Sequence, residues 1–241
     1  GVAWYPGLAS DAPDLFQKAK QAAFYAKQNG KNRIQVYEGN IDAERRNKET
    51  GYEQVAPTVY ALVAAIDAKD SFTFQHSTNV SQYAVLLAQK LGLPGDDIHT
   101  VKVAGLLHDI GKIGIPESIL KKAGKLTNEE YEIMKSHVQK SIEMIHYLPN
   151  MNYVIPAVVS HHERYDGKGY PRGLKGEGIP FLGRILAVCD SFDAMISKRA
   201  YKEALSVEYA MGELEKNKGT QFDPKVADAF IELIKEGKVP L

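Results

Sequence analysis

The sequence has one cysteine, no long apolar run and no excess of either charge. Cys189 cannot form an internal disulfide, which favours a reducing compartment. The apolar runs fall far short of the ~20 residues of a membrane-spanning helix, and the first residues lack the pattern of a signal peptide. Lysine plus arginine and aspartate plus glutamate number 30 each, so no general attraction to duplex nucleic acid or anionic membrane is expected. These absences predict a cytoplasmic protein without a membrane segment or a duplex nucleic acid partner.

The 241 residues divide by pattern into three parts, 1–39, 40–70 and 71–241. In the first part, helical spacing at 11–28 and alternation at 34–37 predict a short α/β segment of strand, helix and strand. In the second part, apolar residues at helical spacing predict a connecting helix, interrupted near Gly51 and Pro57. Such a helix packs either on a second copy of the chain or on the domain that follows, and we expect a homodimer.

The third part is helical almost throughout, which predicts a mostly α bundle of about seven helices. We expect these helices at 77–91, 98–108, 127–148, 153–162, 182–197, 206–217 and 224–235. Thr127 and Glu130 have the spacing of a capping box at the start of the third helix. A long Gly-rich loop follows at 166–180, and a loop of this length inside a domain is usually functional.

Histidine and aspartate occur at five stations of this bundle. They are His76, the pair His108-Asp109, His137, the pair His161-His162, and Asp190. Adjacent buried histidines each need polar partners, whereas neutral imidazole is a favoured metal ligand. Seven potential ligands exceed the needs of one ion and predict two ions that share a carboxylate. Nitrogen and oxygen donors without thiolate favour an imidazole-carboxylate site for Fe, Mn, Ni or Zn over a purely structural zinc site. His99 and His146 lack a neighbouring carboxylate pattern and are interpreted as structural.

These motifs resemble a known family. His108-Asp109, with His76 before it and Asp190 after it, is similar to the HD phosphohydrolase superfamily, and the stretch 161–171, which contains Gly169-Tyr170-Pro171, resembles its HD-GYP subfamily. The resemblance spans residues 67–241. It implies a metal-dependent phosphodiesterase that opens cyclic di-GMP to linear pGpG, and in some members continues to GMP.

The resemblance also implies a ligand set and roles. Asp109 is our choice for the bridging carboxylate; His76, His108 and Asp190 would complete one metal, and His137, His161 and His162 the other. Lys112 is expected to contact a phosphate, and Asp193 to orient a histidine, hold a water or accept a proton. Further expected roles are base stacking by Tyr170, contacts from Arg199 and Lys202 to a phosphate or guanine edge, and a hydrogen bond from a histidine to Glu163. Phe72 stands where some members carry an acidic ligand for a third metal, so a two-metal site is expected.

Residues 1–39 resemble the end of a GGDEF domain through Lys18-Ala19, the stretch 23–27 and Gly30-Lys31. The signature loop of that family is absent, so no cyclase activity is inferred. The resemblance predicts an upstream sensory or GGDEF region in a bacterial signalling protein.

Two alternatives stay open. The chain could hydrolyse another cyclic dinucleotide, with the same metal ligands and a different pocket at the 166–180 loop. It could also be a receptor that binds cyclic di-GMP without cleaving it, although the complete ligand set argues against this reading.

Overall fold

The computed structural model describes residues 41–67, 73–122, 124–198 and 204–240, with isolated positions between 12 and 23. The predicted strand–helix–strand of 1–39, apart from those positions, lies outside the described residues, as do Phe72, Arg199 and Lys202. The chain divides into two compact units, 1–49 and 50–241. The second unit contains all the candidate ligands.

Helices dominate the described residues, and no β-strand occurs among them, so the predicted mostly α fold is confirmed. The α-helices are α1 Ile41–Asp67, α2 Thr73–Lys90, α3 Gly95–Leu107, α4 Glu117–Leu120, α5 Asn128–Lys135, α6 His137–His146, α7 Ile155–Ser160, α8 Phe181–Ile196, α9 Val207–Lys216 and α10 Pro224–Lys235. Short 3-10 helices span Ile110–Gly114, Asn152–Val154 and Gly176–Gly178. None of the described helices is both long and apolar enough to cross a membrane.

The connecting helix is continuous, so the predicted interruption near Gly51 and Pro57 is wrong. Pro57 lies inside α1 on its exposed side, where water can hydrogen-bond the carbonyl that a proline leaves without a donor. The opposite side of the helix holds it in place, because Val59 and Val63 are buried in the core of the second unit. The apolar stripe that suggested a dimer therefore packs within its own chain.

The helix predicted at 127–148 is divided into two helices at Ser136, a turn residue whose φ of −64° and ψ of −13° remain in the αR region. The Ser136 hydroxyl donates to the carbonyl of Ile133 at 2.6 Å, and such side-chain bonds compete with the regular helix ladder. The capping box is confirmed, since Thr127 accepts from the N–H of Glu130 and the Glu130 carboxylate accepts from the N–H of Thr127. With the short α4, this division gives nine described helices after residue 72 instead of seven.

The core lies among α2, α3, α7, α8 and α10. At its centre Tyr83, Phe192 and Phe230 meet edge to face or tilted, with ring centroids 5.1–6.0 Å apart. Helices α2 and α8 contribute to this core and also carry His76 and Asp190. The packing that buries the aromatic side chains therefore also positions the two helices that carry these ligands.

Candidate metal centre

All five stations meet in the second unit, in two adjoining clusters. Within each cluster, one ligand atom per residue lies within 4.8 Å of all the others. The first cluster is Asp109, His137, His161 and His162, and the second is His76, His108 and Asp190. This is the grouping that the family resemblance implied.

Asp109 lies between the two clusters and turns one oxygen toward each. Its Oδ1 is 3.3 Å from Nε2 of His137, while its Oδ2 is 3.3 Å from Nε2 of His108 and 3.9 Å from Nε2 of His76. The side chain is almost fully buried at the end of the apolar α3. A carboxylate in this position is suited to bridge two cations.

Three of the histidines are oriented by a local backbone bond. Each donates Nδ1–H to the carbonyl three residues earlier: His108 to Gly105 (2.8 Å), His137 to Met134 (2.7 Å) and His161 to Val158 (2.6 Å). A carbonyl can only accept, so the hydrogen must lie on Nδ1 and the lone pair on Nε2. The same arrangement orients histidine ligands in metalloproteins.

The atoms aimed into the centre fit divalent ions. Within the described part of the chain, no hydrogen-bond partner is found for the buried Nε2 atoms of His108, His137 and His161 or for Oδ1 of Asp109. A buried polar atom left unpaired destabilises a fold by ~1–3 kcal/mol, so several together call for a missing partner. One metal ion in each cluster would accept the lone pairs of the atoms that point into that cluster.

The electrostatics favour the protonation states that metal ligands need. Burial lowers the pKa of His162 to about 4, and it lowers the pKa values of His137 and His161 as well. Burial alone would raise the pKa of Asp109, but the Lys112 ammonium and the neighbouring imidazoles hold it well below its usual value. At neutral pH the first cluster therefore presents neutral imidazoles and an ionised carboxylate.

His76 is held by two aspartates of α8. Its Nδ1 lies 2.7 Å from Oδ2 of Asp193, and its Nε2 lies 3.1 Å from Oδ1 of Asp190. Burial alone would lower the pKa of His76, but these carboxylates raise it to about 9. The carboxylates that stabilise a proton here would also stabilise a metal ion.

Asp193 is fully buried, and its oxygens bond to protein groups. Besides His76, it accepts from Nδ2 of Asn79 at 2.8 Å and from the hydroxyl of Ser197 at 3.2 Å. Of the three roles considered for Asp193, this geometry favours the orientation of His76. Asn79 was not predicted, although its position three residues after His76 on the same helix was a usable signal.

A tight turn after Asp109 places Lys112 and α6 against the centre. Lys112 Nζ lies 2.5 Å from Oδ2 of Asp109. Gly111 donates its N–H to the hydroxyl of Ser141 at 2.8 Å, and that hydroxyl donates to the carbonyl of His108 at 3.0 Å. A Cβ atom on Gly111 would lie 2.0 Å from the carbonyl oxygen of His137, so only glycine permits this approach. Ser141 was also not predicted.

The 166–180 loop is fastened beside the histidine pair. The Tyr170 ring stacks on His162, with centroids 4.8 Å apart and planes 29° from parallel. Gly169 lies so close to Glu163 that a Cβ atom would be 2.5 Å from its Cα. The expected bond from a histidine to Glu163 is not what the structure gives, because the buried Glu163 carboxylate accepts from the backbone N–H groups of Arg172 and Leu174.

The histidines interpreted as structural have polar partners outside the two clusters. His99 lies 3.2 Å from the hydroxyl of Tyr153, and His146 lies 2.9 Å from Oδ1 of Asn152. Neither belongs to a ligand cluster of the described residues. The predicted roles of Arg199 and Lys202 fall outside the described residues.

Comparison with known proteins places these features in a family. A family model described as the HD domain matches residues 61–226. The chain is 41% identical over 181 residues to the cyclic di-GMP phosphodiesterase response regulator RpfG of Xanthomonas campestris, covering 74% of this chain and 48% of that protein. It is 39% identical over 208 residues to 3'3'-cGAMP-specific phosphodiesterase 2 of Vibrio cholerae, covering 83% of this chain and 39% of that protein. The chain thus spans about half the length, or less, of these curated relatives.

A solved structure has the same fold. The cyclic GMP-AMP specific phosphodiesterase V-cGAP3 of V. cholerae superposes with a TM-score of 0.60 at 18% identity, covering 75% of this chain and 49% of that one. At this identity the likeness concerns the fold alone.

Proposed function

Since the chain belongs to the HD-domain family, we propose that it is a metal-dependent phosphodiesterase that hydrolyses cyclic di-GMP to linear pGpG. The observation that carries the proposal is the pair of ligand clusters joined by Asp109. The curated relatives named as cyclic dinucleotide phosphodiesterases support the substrate class. Two divalent ions bound here would polarise the phosphate and lower the pKa of a water molecule toward neutrality.

The proposed ligands are the seven side chains of the two clusters. His76, His108 and Asp190 would hold one ion, His137, His161 and His162 the other, and Asp109 both. Iron and manganese are the first choices for the ions, because the donors are imidazole and carboxylate without thiolate. Nickel and zinc have overlapping preferences.

Lys112 is the proposed contact to the phosphate. Its side chain is 20% exposed beside Asp109, so its ammonium lies at the edge of the centre, where the phosphate would bind. A cation fixed there stabilises the negative charge that develops on the phosphate oxygens during hydrolysis. Asp193, buried behind His76, is proposed to orient that ligand and not to touch the substrate.

The direct experiment combines elemental analysis with product identification. Protein purified without oxygen is expected to contain two transition-metal ions per chain and to convert cyclic di-GMP to pGpG, detected by chromatography. Removal of the ions should stop the conversion, and their return should restore it. Metal-loaded protein that leaves cyclic di-GMP intact would contradict the proposal; if it still bound the dinucleotide, it would be a receptor.

A second candidate is hydrolysis of a different cyclic dinucleotide. It is favoured by one observation, the 39% identity to a relative named as specific for 3'3'-cGAMP. Initial rates on cyclic di-GMP, 3'3'-cGAMP and bis-p-nitrophenyl phosphate, measured side by side, separate the two candidates. Good turnover of 3'3'-cGAMP with none of cyclic di-GMP would replace the first proposal by the second.

A further inference from the structure

Tyr131, Lys135 and Tyr170 form an aromatic corner beside the candidate metal centre. The rings of Tyr131 and Tyr170 meet at 79°, with centroids 6.4 Å apart. Nζ of Lys135 lies over both rings, 5.1 Å from the centroid of Tyr131 and 5.7 Å from that of Tyr170. One ammonium group therefore faces both rings.

The helix that carries this corner contributes nothing to the core. None of the residues of α5 is buried, and Tyr131 is 48% exposed. Tyr131 and Lys135 are four residues apart, so they share one face of the helix, and that face contacts the 166–180 loop through Tyr170. Tyr131 is therefore accessible to a ligand, next to the loop residue Tyr170 that stacks on His162.

The corner lies one ring away from the proposed ligands. Tyr170 stacks on His162 at 4.8 Å, and His162 belongs to the first ligand cluster. In a cyclic dinucleotide each phosphate is separated from a base by a single ribose. A phosphate bound at the centre would therefore bring a base within reach of Tyr131.

We propose that Tyr131 and Lys135 form a base subsite that selects guanine, an inference that rests on the proposed function. Bases stack readily on an exposed tyrosine ring. The edge of guanine presents two acceptors, O6 and N7, to a lysine, whereas adenine presents an amino donor in place of O6. Lys135 lies over the Tyr131 ring here, so a stacking base would displace its ammonium from that face into the plane of the base. Its ion pair with the 70% exposed Glu132 holds it weakly.

The subsite is tested by equilibrium binding of GMP and AMP to the metal-loaded full chain, a readout that does not require turnover. Wild-type protein is expected to prefer GMP. Tyr131→Ala should weaken GMP binding by about tenfold, the effect of losing one stacked base. Lys135→Met should remove the preference for GMP over AMP, and Lys135→Arg, which restores the donors, should retain it.

Matched controls lie on α9. The exposed fraction of Tyr209 is 54%, similar to the 48% of Tyr131. Lys216 forms an ion pair with Glu213, three residues earlier in the sequence, as Lys135 does with Glu132. Tyr209→Ala and Lys216→Met should leave the affinities unchanged. Hydrolysis of bis-p-nitrophenyl phosphate, which has no base, should be the same in all variants.

Three results would overturn the inference. The first is equal binding of GMP and AMP by wild-type protein, and the second is a full GMP preference in Lys135→Met. The third is a loss of bis-p-nitrophenyl phosphate hydrolysis in Tyr131→Ala or Lys135→Met as large as the loss of GMP binding, which would mean that the corner supports His162 instead. Failure of the proposed function is a separate result. In that case the protein would not hydrolyse cyclic di-GMP, yet it would still bind GMP more tightly than AMP and would lose this preference in Lys135→Met.

Discussion

Replacing Glu163 with glutamine is expected to release the 166–180 loop while keeping the volume of the side chain. The buried carboxylate accepts from the N–H of Arg172 at 2.7 Å on one oxygen and from the N–H of Leu174 at 3.0 Å on the other. Glutamine keeps one acceptor but turns an NH2 donor toward the other N–H group. One charge-assisted bond of about 1.5–3 kcal/mol is lost and the other weakens, a total of roughly 2–4 kcal/mol.

Amide hydrogen exchange measures this change where it occurs. If the loop opens locally, a loss of about 2–4 kcal/mol corresponds to roughly 30- to 700-fold faster exchange at the amides of Arg172 and Leu174. The matched control is Glu236→Gln, the same chemical change in an exposed carboxylate that is paired with Lys90 at 2.8 Å. Such a surface pair contributes about 0–1 kcal/mol, and the loop amides should keep their wild-type rates. Exchange in Glu163→Gln within threefold of wild type would refute the view that this carboxylate fastens the loop.

Three further substitutions test the centre itself. Asp109→Ala should remove the bridge between the two clusters, so elemental analysis should find both ions lost and turnover abolished; full activity would refute the site. Lys112→Ala should leave metal content intact and slow hydrolysis of cyclic di-GMP by more than about tenfold, the effect of one transition-state contact; an unchanged rate would exclude the phosphate contact. Asp193→Asn should weaken metal binding, titrated against a competing chelator, by about 10- to 100-fold, because His76 loses its charged partner; unchanged affinity would limit Asp193 to a packing role.

Three of the five ligand stations stand in a short sequence pattern, and their joint occurrence suggested the site, while His76 and His137 are single histidines. His108-Asp109 follows an apolar run, and His161-His162 follows another. Their division into two clusters came from the family resemblance, because it depends on how distant helices pack. The approach of α6 to the turn at Gly111, for example, follows from contacts between residues 30 or more positions apart.

The errors have local physical causes that a periodicity argument does not contain. The division at Ser136 lies where a side chain bonds the backbone of its own helix. Pro57 is accommodated because its exposed side is hydrated while Val59 and Val63 hold the other side in the core. Glu163 bonds the loop instead of a histidine because Gly169 lets the chain fold back over it.

Three histidine rings are fixed in orientation by bonds to carbonyls three residues earlier, namely those of His108, His137 and His161. These bonds mean that the rings lose their rotational freedom when the chain folds and not when an ion binds. An imidazole that is free to rotate must be ordered when it binds an ion, which weakens binding. Here the backbone restricts the rings as the helix ends form, before any ion arrives. Loading of the centre should therefore resemble the entry of a ligand into a rigid receptor, in contrast to the metal-driven folding of a zinc finger.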